Sequence, residues 1–183
     1  MIMRVPGDAV LELPGRIWLA RARSCFAYEG RLRDALQSMK YSKRLDLARF
    51  FGQMLAEDAR ALGDFDRVTC VPMSGVRIRR RGYNPVAILA RAVAAETNAR
   101  LDLDALLRVR DSVPQVGLPR EERVKNVVKA FEVPEGHRWH IERTRVLLID
   151  DVLTTGATAN DCARALIRAG ADEVLVLTVA RAL

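Results

Sequence analysis

Cysteine and histidine are both scarce in this chain. Its three cysteines are scattered, with no C-x-x-C pair, so the sequence predicts reduced thiols in a reducing compartment and no cysteine metal knuckle. The two histidines, His137 and His140, have a spacing that suits a helix, but they flank Trp139 in a polar stretch. We interpret them as surface residues and not as metal ligands.

Long apolar runs are missing as well. None approaches the ~18 residues that would indicate a membrane span, and the opening MIMRVPGDAVLELPG lacks the apolar core of a signal peptide. Half of the 183 residues are hydrophobic, 5% are aromatic and 29% are charged, a balance typical of a globular domain rather than a disordered chain. We expect one well-buried cytoplasmic domain.

The charge is unbalanced toward the positive side. Lysine and arginine number 30 against 23 acidic residues, giving a net charge of +7 at pH 7. Such an excess favours polyanionic partners, either nucleic acid or a small phosphorylated ligand. Charge alone does not choose between these two classes.

The first 27 residues contain several residues that interrupt regular structure. Pro6, Gly7, Pro14 and Gly15 break any long element there. We therefore expect an irregular segment over 1–27, followed by a single domain over 28–183.

The middle of the chain predicts alternating helices and strands. Proline after an N-capping residue marks the start of one helix. The predicted elements are two helical stretches from about Arg31, a buried strand over 67–71, a helix over 85–97 capped by Asn84, a strand over 101–109, a polar loop over 111–126 and a short strand over 130–133.

The last third gives the clearest pattern. Residues 145–149 and 173–179 form apolar strands, and residues 158–169 form a helix that ends at Gly170. Strand, loop, helix and strand within ~35 residues make a βαβ unit, so we expect a parallel sheet and an α/β fold.

The loop between the first of these strands and the helix has the chemistry of a binding site. Ligands bind beyond the carboxyl ends of parallel strands. Adjacent carboxylates accept hydrogen bonds from ribose hydroxyls, and hydroxyls and amides at a helix N-terminus hold a phosphate. Capping alone would need only one acid or one threonine. The candidate ribose 5-phosphate site is Asp150, Asp151, Thr154, Thr155, Gly156, Ala157 and Thr158.

The stretch IDDVLTTGAT resembles the type I phosphoribosyltransferases, whose signature is an apolar strand, two acids and a T-T-G-x-T loop. The resemblance implies a parallel-sheet phosphoribosyltransferase fold flanked by helices, which binds phosphoribosyl pyrophosphate (PRPP). It also implies that the acids hold the ribose and the loop holds the 5-phosphate. Mg²⁺ would be held mainly through PRPP, assisted by Asp150 and Asp151.

More of the chain resembles one branch, the ComF family of competence-associated phosphoribosyltransferase-like proteins. The similar stretches lie at 28–41, 71–84 and 114–131. That family commonly opens with a four-cysteine zinc module, whereas here only Cys25 lies in the N-terminal region, so we expect no zinc site. Pro85 stands where the family usually has glutamine, which leaves any side-chain role at that position in doubt.

The segment after the strand at 67–71 suits the pyrophosphate end of PRPP, because a small-residue turn presents backbone amides and arginine pairs well with phosphate. The pyrophosphate candidates are Met73, Ser74, Gly75 and Arg77, and the candidates for a basic or nucleic-acid surface are Arg79, Arg80, Arg81 and Tyr83. A solvated basic face, and a core position for Tyr83, are the alternatives.

The loop over 111–126 occupies the place of a mobile lid in this fold. The candidates to reach pyrophosphate on closure are Arg110, Gln115, Arg120 and Arg123. A plain surface connection is the alternative.

Three functions remain open on the sequence. The first is transfer of phosphoribose from PRPP to an unidentified acceptor through an oxocarbenium-like transition state, with no general base in evidence. The second is a non-catalytic protein that binds PRPP, a nucleotide or single-stranded DNA during uptake, together with the uptake machinery. The third is nucleobase salvage, ranked last because residues 1–60 show no aromatic platform. A homodimer is left open.

Overall fold

The computed structural model describes residues 3–5, 7–9, 11, 13–110 and 129–182. The strands are β1 Arg21–Ala27, β2 Arg67–Cys70, β3 Arg100–Leu101, β4 Leu107–Arg108, β5 Phe131–Glu132, β6 Arg145–Leu153 and β7 Glu173–Arg181. The helices are α1 Gly30–Tyr41, α2 Leu45–Leu62, α3 Gly75–Arg81, α4 Pro85–Thr97, α5 Arg138–Ile141 and α6 Ala157–Arg168, and a 3₁₀ turn spans Glu135–His137. None of these helices has the length and apolarity needed to cross a membrane.

Five strands form a parallel sheet in the order β1-β7-β6-β2-β3. Two further strands, β4 and β5, pair antiparallel beside it. The α/β class predicted from the βαβ pattern, with a parallel sheet flanked by helices, is confirmed.

Apolar clusters cover both faces of the sheet. On one face Leu36, Leu55 and Leu89 come from α1, α2 and α4, and on the other Ile141 and Leu166 come from α5 and α6. Strand β6 contributes to both clusters, as a parallel strand buried on two sides must. Its core residues are Leu147 and Ile149 on the first side, and Val146 and Leu148 on the second.

The local signals at helix α4 are confirmed. The helix begins at Pro85, and the Asn84 Oδ1 accepts a hydrogen bond from the Val86 N–H over 3.1 Å. Helix α6 begins at Ala157, one residue before the predicted start. Strand β6 is four residues longer than predicted, because β7 pairs with it as far as Leu153.

Two expectations are wrong. Residues 21–27, assigned to an irregular segment, form the edge strand β1, which pairs parallel with β7. Its sequence RARSCFA has no β-branched residue, and its arginines Arg21 and Arg23 pair with Asp8. The strand predicted over 101–109 is two short strands, because Asp102 Oδ1 accepts a hydrogen bond from the Asp104 N–H over 3.2 Å and turns the chain.

Candidate functional site

The two loops predicted to hold PRPP emerge at the same edge of the sheet. Strands β2 and β6 are parallel neighbours, with Cys70 opposite Ile149. The Val71 N–H extends this pairing by donating to the Ile149 carbonyl over 3.0 Å. The loop after β2 and the carboxyl half of β6 therefore lie side by side, at the edge where parallel sheets bind ligands.

Asp150 and Asp151, the acid pair, lie inside the carboxyl half of β6, because the strand continues to Leu153. The Asp151 N–H donates to Asp150 Oδ1 over 2.8 Å. Asp151 Oδ2 is 2.9 Å from Nζ of Lys40, which lies in the last turn of α1. The two side chains of this ion pair are 22% and 13% exposed, so solvent screens it less than an ion pair on the surface.

Burial and neighbouring charge shift the ionisation of this cluster. Burial raises the pKa of Asp150 to about 7, and the charge of Asp151 acts in the same direction. Burial lowers the pKa of Lys40, but the charge of Asp151 and its hydrogen bond outweigh this, so the pKa of Lys40 lies above its ordinary value. The site thus holds one salt-bridged carboxylate beside one whose ionised form is costly.

The threonine loop, residues 154–156, leads directly into helix α6. Thr154 is exposed, and Thr155 Oγ1 accepts a hydrogen bond from the Ala157 N–H over 3.2 Å. Gly156 caps the helix at a φ of +80°, a left-handed conformation that favours glycine. Ala157 and Thr158 form the first turn, so backbone N–H groups and two nearby hydroxyls surround the positive end of the helix dipole.

The N-terminal segment covers the start of α6. A Cβ added at Gly156 would lie 2.7 Å from Leu11 Cδ2. The Trp18 N–H donates to Asn160 Oδ1 over 2.7 Å, and Asn160 Nδ2 donates to the Arg16 carbonyl over 3.0 Å. Residues well before β1 therefore shape the wall of the threonine loop.

The predicted pyrophosphate loop is the entry to helix α3. Ser74 is its N-cap, and its Oγ accepts a hydrogen bond from the Arg77 N–H over 3.4 Å. Met73 is partly buried before it, and Gly75 is the first helical residue and exposed. The segment predicted to be a small-residue turn is therefore the start of a short, capped helix at the carboxyl edge of the sheet.

The arginine cluster lies on α3. Arg77, Arg79 and Arg80 are exposed, and none forms an ion pair with a residue that the structure describes. The guanidinium of Arg81 instead lies 4.9 Å from the ring centroid of Tyr41, within cation–π range. The helix therefore carries a concentrated, mostly unneutralised positive charge.

The end of α1 connects the two halves of the site. Lys40 pairs with Asp151 on β6, while the Tyr83 hydroxyl after α3 donates to the Met39 carbonyl. Tyr41, next in the chain, stacks against α3 through its ring. Residues Met39, Lys40 and Tyr41 thus contact β6 on one side and the end of α3 on the other, and base stacking by Tyr83 stays a prediction.

Lys40 is a candidate functional residue that the sequence alone does not indicate. It was visible only as part of the stretch 28–41 that resembles the ComF family. A lysine in the last turn of a helix is ordinary on a surface. Its role becomes apparent only when α1 is packed over the end of β6.

The predicted lid lies almost entirely outside the described residues. Arg110 is exposed, and its carbonyl accepts a hydrogen bond from Arg108 Nε over 3.2 Å. Gln115, Arg120 and Arg123, and the loop over 111–126, fall outside the part of the chain that the structure describes. Closure of a lid stays a prediction.

Comparison with known proteins identifies relatives named for DNA use and competence. The chain is 29% identical over 164 residues to DNA utilization protein YhgH of Escherichia coli, covering 85% of this chain and 70% of the relative. It is 33% identical over 112 residues to competence protein F of Haemophilus influenzae, covering 61% and 48%. It is 29% identical over 164 residues to competence protein ComFC of Streptococcus pneumoniae, covering 87% and 67%. These homologues confirm the predicted resemblance to the ComF family, although no protein-family model matches the chain.

Among solved structures, the chain is similar to glutamine PRPP amidotransferase from B. subtilis complexed with ADP and GMP. The identity is 25% and the TM-score 0.48, over 72% of this chain. The chain spans about a quarter of the amidotransferase, 26% of its length.

Proposed function

We propose that the chain binds PRPP with Mg²⁺ and transfers its phosphoribosyl group to an acceptor, releasing pyrophosphate. The observation that carries the proposal is the acid pair Asp150–Asp151, in which Asp151 is paired with Lys40, shortly before a threonine loop that leads into a helix. A sugar clamp and an anion cradle lie next to each other along the chain. This is the order in which ribose hydroxyls and a 5-phosphate follow each other in the ligand.

The ribose end is assigned to the acids. The vicinal hydroxyls donate to the carboxylates of Asp150 and Asp151, and the ion pair with Lys40 orients Asp151. The 5-phosphate accepts hydrogen bonds from Thr154, Thr155 and the first backbone amides of α6.

The pyrophosphate end is assigned to the loop after β2. Ser74 is buried at the start of α3, and Arg77 adds a positive charge in the first turn of that helix. Guanidinium groups pair well with phosphate oxygens and favour the charge that develops as pyrophosphate departs. This charge distribution supports a leaving group on the α3 side and a ribose on the β6 side.

The donor set at the acid pair fits Mg²⁺, which prefers carboxylate and phosphate oxygens. Asp150 Oδ1 accepts the Asp151 N–H, so its Oδ2 would be the oxygen available to a cation held by PRPP. When bound, the ion would neutralise charge on pyrophosphate.

The chemical step breaks the bond between ribose C1 and the pyrophosphate oxygen, whose electron pair leaves with pyrophosphate. A new bond forms between C1 and the acceptor, which loses its proton to solvent. The carboxylates of Asp150 and Asp151 lie on the sugar side and favour the positive charge of an oxocarbenium-like transition state. The residues of β6 and α3 would also lower the barrier by holding the ribose and pyrophosphate ends of PRPP in the reactive orientation.

Calorimetry of PRPP with Mg²⁺ tests the binding proposal. We expect one site in the native chain and no measurable heat in the double variant Asp150→Asn with Asp151→Asn. Asp172→Asn, an exposed acid away from the site, is the matched control and should bind normally. Unchanged binding by the double variant would contradict the assignment. Transfer is tested separately, by measuring the release of pyrophosphate when nucleobases and amines are screened as acceptors.

A second function, binding of single-stranded DNA, is favoured by the arginines of α3. The relatives are named for DNA utilization and competence. Arg77, Arg79 and Arg80 are exposed beside the equally exposed apolar side chains Val76 and Ile78. Positive charge next to apolar contact area suits a nucleic-acid strand, whose backbone is anionic and whose bases are apolar on their faces. Such binding would use the outer side of α3 and leave the acid pair free.

A further inference from the structure

Away from the acid pair, three side chains bring metal-ligating atoms together. Nδ1 of His137 and Nδ1 of His140 lie 3.2 and 3.1 Å from the same carboxylate oxygen, Oδ2 of Asp102. One ligand atom from each of the three residues lies within 4.8 Å of the others. We propose that Asp102, His137 and His140 form a binding site for a divalent transition-metal ion of the Zn²⁺ type.

The backbone builds this cluster from two distant segments. Asp102 directly follows β3, and its N–H donates to the Val68 carbonyl over 2.9 Å. Its Oδ1 accepts the Asp104 N–H over 3.2 Å, which turns Oδ2 toward the histidines. The carboxylate is therefore held in place before any ion binds.

The histidines are placed by a helical turn. His137 ends the 3₁₀ turn and His140 lies in α5, three residues later, so both side chains share one face. Ile141, the last residue of α5, is fully buried and anchors that turn in the core. The two imidazoles are thereby held over the end of β3, 35 and 38 residues after Asp102 in the chain.

The spacing fits a tetrahedral ion. With bonds of about 2.0–2.2 Å, neighbouring ligand atoms in a tetrahedral zinc site lie about 3.3–3.6 Å apart. The separations from Asp102 Oδ2 to the two Nδ1 atoms, 3.2 and 3.1 Å, are close to that range. The ligand atoms of the two histidines lie within 4.8 Å of each other, so the side chains would draw together to seat an ion. Without an ion, each histidine Nδ1–H donates a hydrogen bond to Asp102 Oδ2. A bound ion would take the place of these two protons.

The donor set selects the kind of ion. Two imidazoles with one carboxylate suit Zn²⁺, Co²⁺ or Ni²⁺, whereas Mg²⁺ and Ca²⁺ prefer oxygen ligands throughout. The carboxylate is 8% exposed, while the imidazoles are 30% and 28% exposed, so an ion can enter from the histidine side. Three protein ligands leave one tetrahedral position open to water or to a further ligand.

This site differs from the zinc module of the ComF resemblance, because it uses no cysteine. All three cysteines of the chain are buried. The expectation of no zinc site rested on the missing cysteines and on the interpretation of the histidines as surface residues. In the structure, both histidines are instead partly buried against a buried acid.

Titration of the metal-stripped full chain with Co²⁺, monitored by its visible spectrum, and then with Zn²⁺ tests the proposal. Since the chain has only two histidines, a site with two imidazoles must be this one. We expect one equivalent of Co²⁺, a spectrum without the thiolate charge-transfer band, and displacement by Zn²⁺. A thiolate band, or no binding at all, would mean that cysteines bind the ion or that the cluster is hydrogen-bonded only, and either result overturns the proposal.

Variants make the assignment specific. His140→Gln and His137→Gln change partly exposed side chains, and each should weaken Zn²⁺ binding by at least about 100-fold, the upper end of what loss of a mere outer-shell partner costs. Asp104→Asn changes an exposed carboxylate two residues from Asp102 and should bind Zn²⁺ like the native chain. Far-ultraviolet circular dichroism checks that each variant is folded. If the variant that combines His137→Gln with His140→Gln is folded and still binds Zn²⁺ with native affinity, the site is refuted, whatever the result of the PRPP experiments.

Discussion

Lys40 is the side chain on which the charge balance of the acid pair depends. It is the only cation within ion-pair distance of Asp151 among the described residues. Replacing it with methionine keeps the length of the side chain but leaves two carboxylates adjacent and unneutralised. We expect Lys40→Met to weaken PRPP–Mg²⁺ binding by roughly tenfold, about 1.4 kcal/mol, because Asp151 loses the partner that orients it.

Calorimetry measures this effect, and Lys43→Met is the matched control. Lys43 is exposed, close in the chain, and makes no ion pair with a described residue. Equal PRPP affinity in the two variants would show that Lys40 does not act on the ligand through Asp151.

The raised pKa of Asp150 predicts a specific pH dependence of stability. The carboxyl has a pKa of about 7 in the folded chain, against an ordinary aspartate value of 3.8. A group that binds its proton more tightly when folded stabilises the fold at low pH, and this contribution is lost as the pH rises through the folded pKa. Asn mimics the protonated acid, so Asp150→Asn should be more stable than the native chain at pH 8, by the order of 1–3 kcal/mol.

Urea unfolding at pH 5 and pH 8 measures the difference. The advantage of Asp150→Asn should shrink at pH 5, where the native carboxyl is itself mostly protonated. Asp172→Asn, at an exposed position, should show no such change with pH. A stability difference that is the same at both pH values would contradict the shift.

At the scale of elements, the turn before α6 should be intolerant of a side chain. Gly156 has a φ of +80°, where a Cβ costs about 1–2 kcal/mol. Leu11 Cδ2 would lie 2.7 Å from the new Cβ, but it is the end of a flexible side chain and can move. We expect Gly156→Ala to lower the free energy of unfolding by about 1–2 kcal/mol and to weaken PRPP binding.

Gly136→Ala is the matched control for this prediction. Its position has open space and no positive φ, so alanine should be neutral or slightly stabilising there. Urea denaturation compares the two. If adding Leu11→Ala restored the full stability of Gly156→Ala, steric contact rather than the backbone conformation would be the cause.

The contact between α2 and α4 gives a prediction of unusual sign. Alanine normally stabilises a helix interior by about 1 kcal/mol relative to glycine. A Cβ at Gly52, however, would lie 2.5 Å from Ala92 Cβ. Gly52→Ala should therefore destabilise the chain by about 1–3 kcal/mol. The double variant with Ala92→Gly should recover most of this loss in chemical denaturation, and additivity of the two changes would refute the contact.

Elements with strong local signals could be predicted from the sequence, whereas elements defined by their partners could not. The start of α4 follows from Asn84 and Pro85, which act within one turn. Strand β1 depends on its pairing with β7. Its alternating arginines indicate an exposed polar segment in the sequence, and their pairing with Asp8 is seen only in the fold. The same holds for the site. The acids and threonines are contiguous, but Lys40 is joined to Asp151 only by the packing of α1 on the sheet.

For the molecule as a whole, the net charge of +7 predicts attraction to polyanions without choosing a surface. The arrangement of that charge does choose. At β6, Asp151 neutralises Lys40 of α1, while Arg77, Arg79 and Arg80 on α3 have no ion-pair partner among the described residues. A polyanion should therefore meet α3 first, whereas we expect a compact phosphorylated sugar to bind at the acid pair together with Mg²⁺.

Salt dependence separates the two modes of binding. Each phosphate contact with single-stranded DNA makes the slope of log affinity against log salt steeper by about 0.7. Replacing Arg79 and Arg80 with glutamine should therefore reduce that slope by roughly 1.4 and leave PRPP–Mg²⁺ affinity nearly unchanged. Arg31→Gln with Arg49→Gln changes the net charge equally, at exposed positions on α1 and α2, and should have a much smaller effect on the slope. Fluorescence anisotropy with a labelled oligonucleotide measures it. Equal slopes for the two double variants would mean that DNA responds to net charge and not to α3.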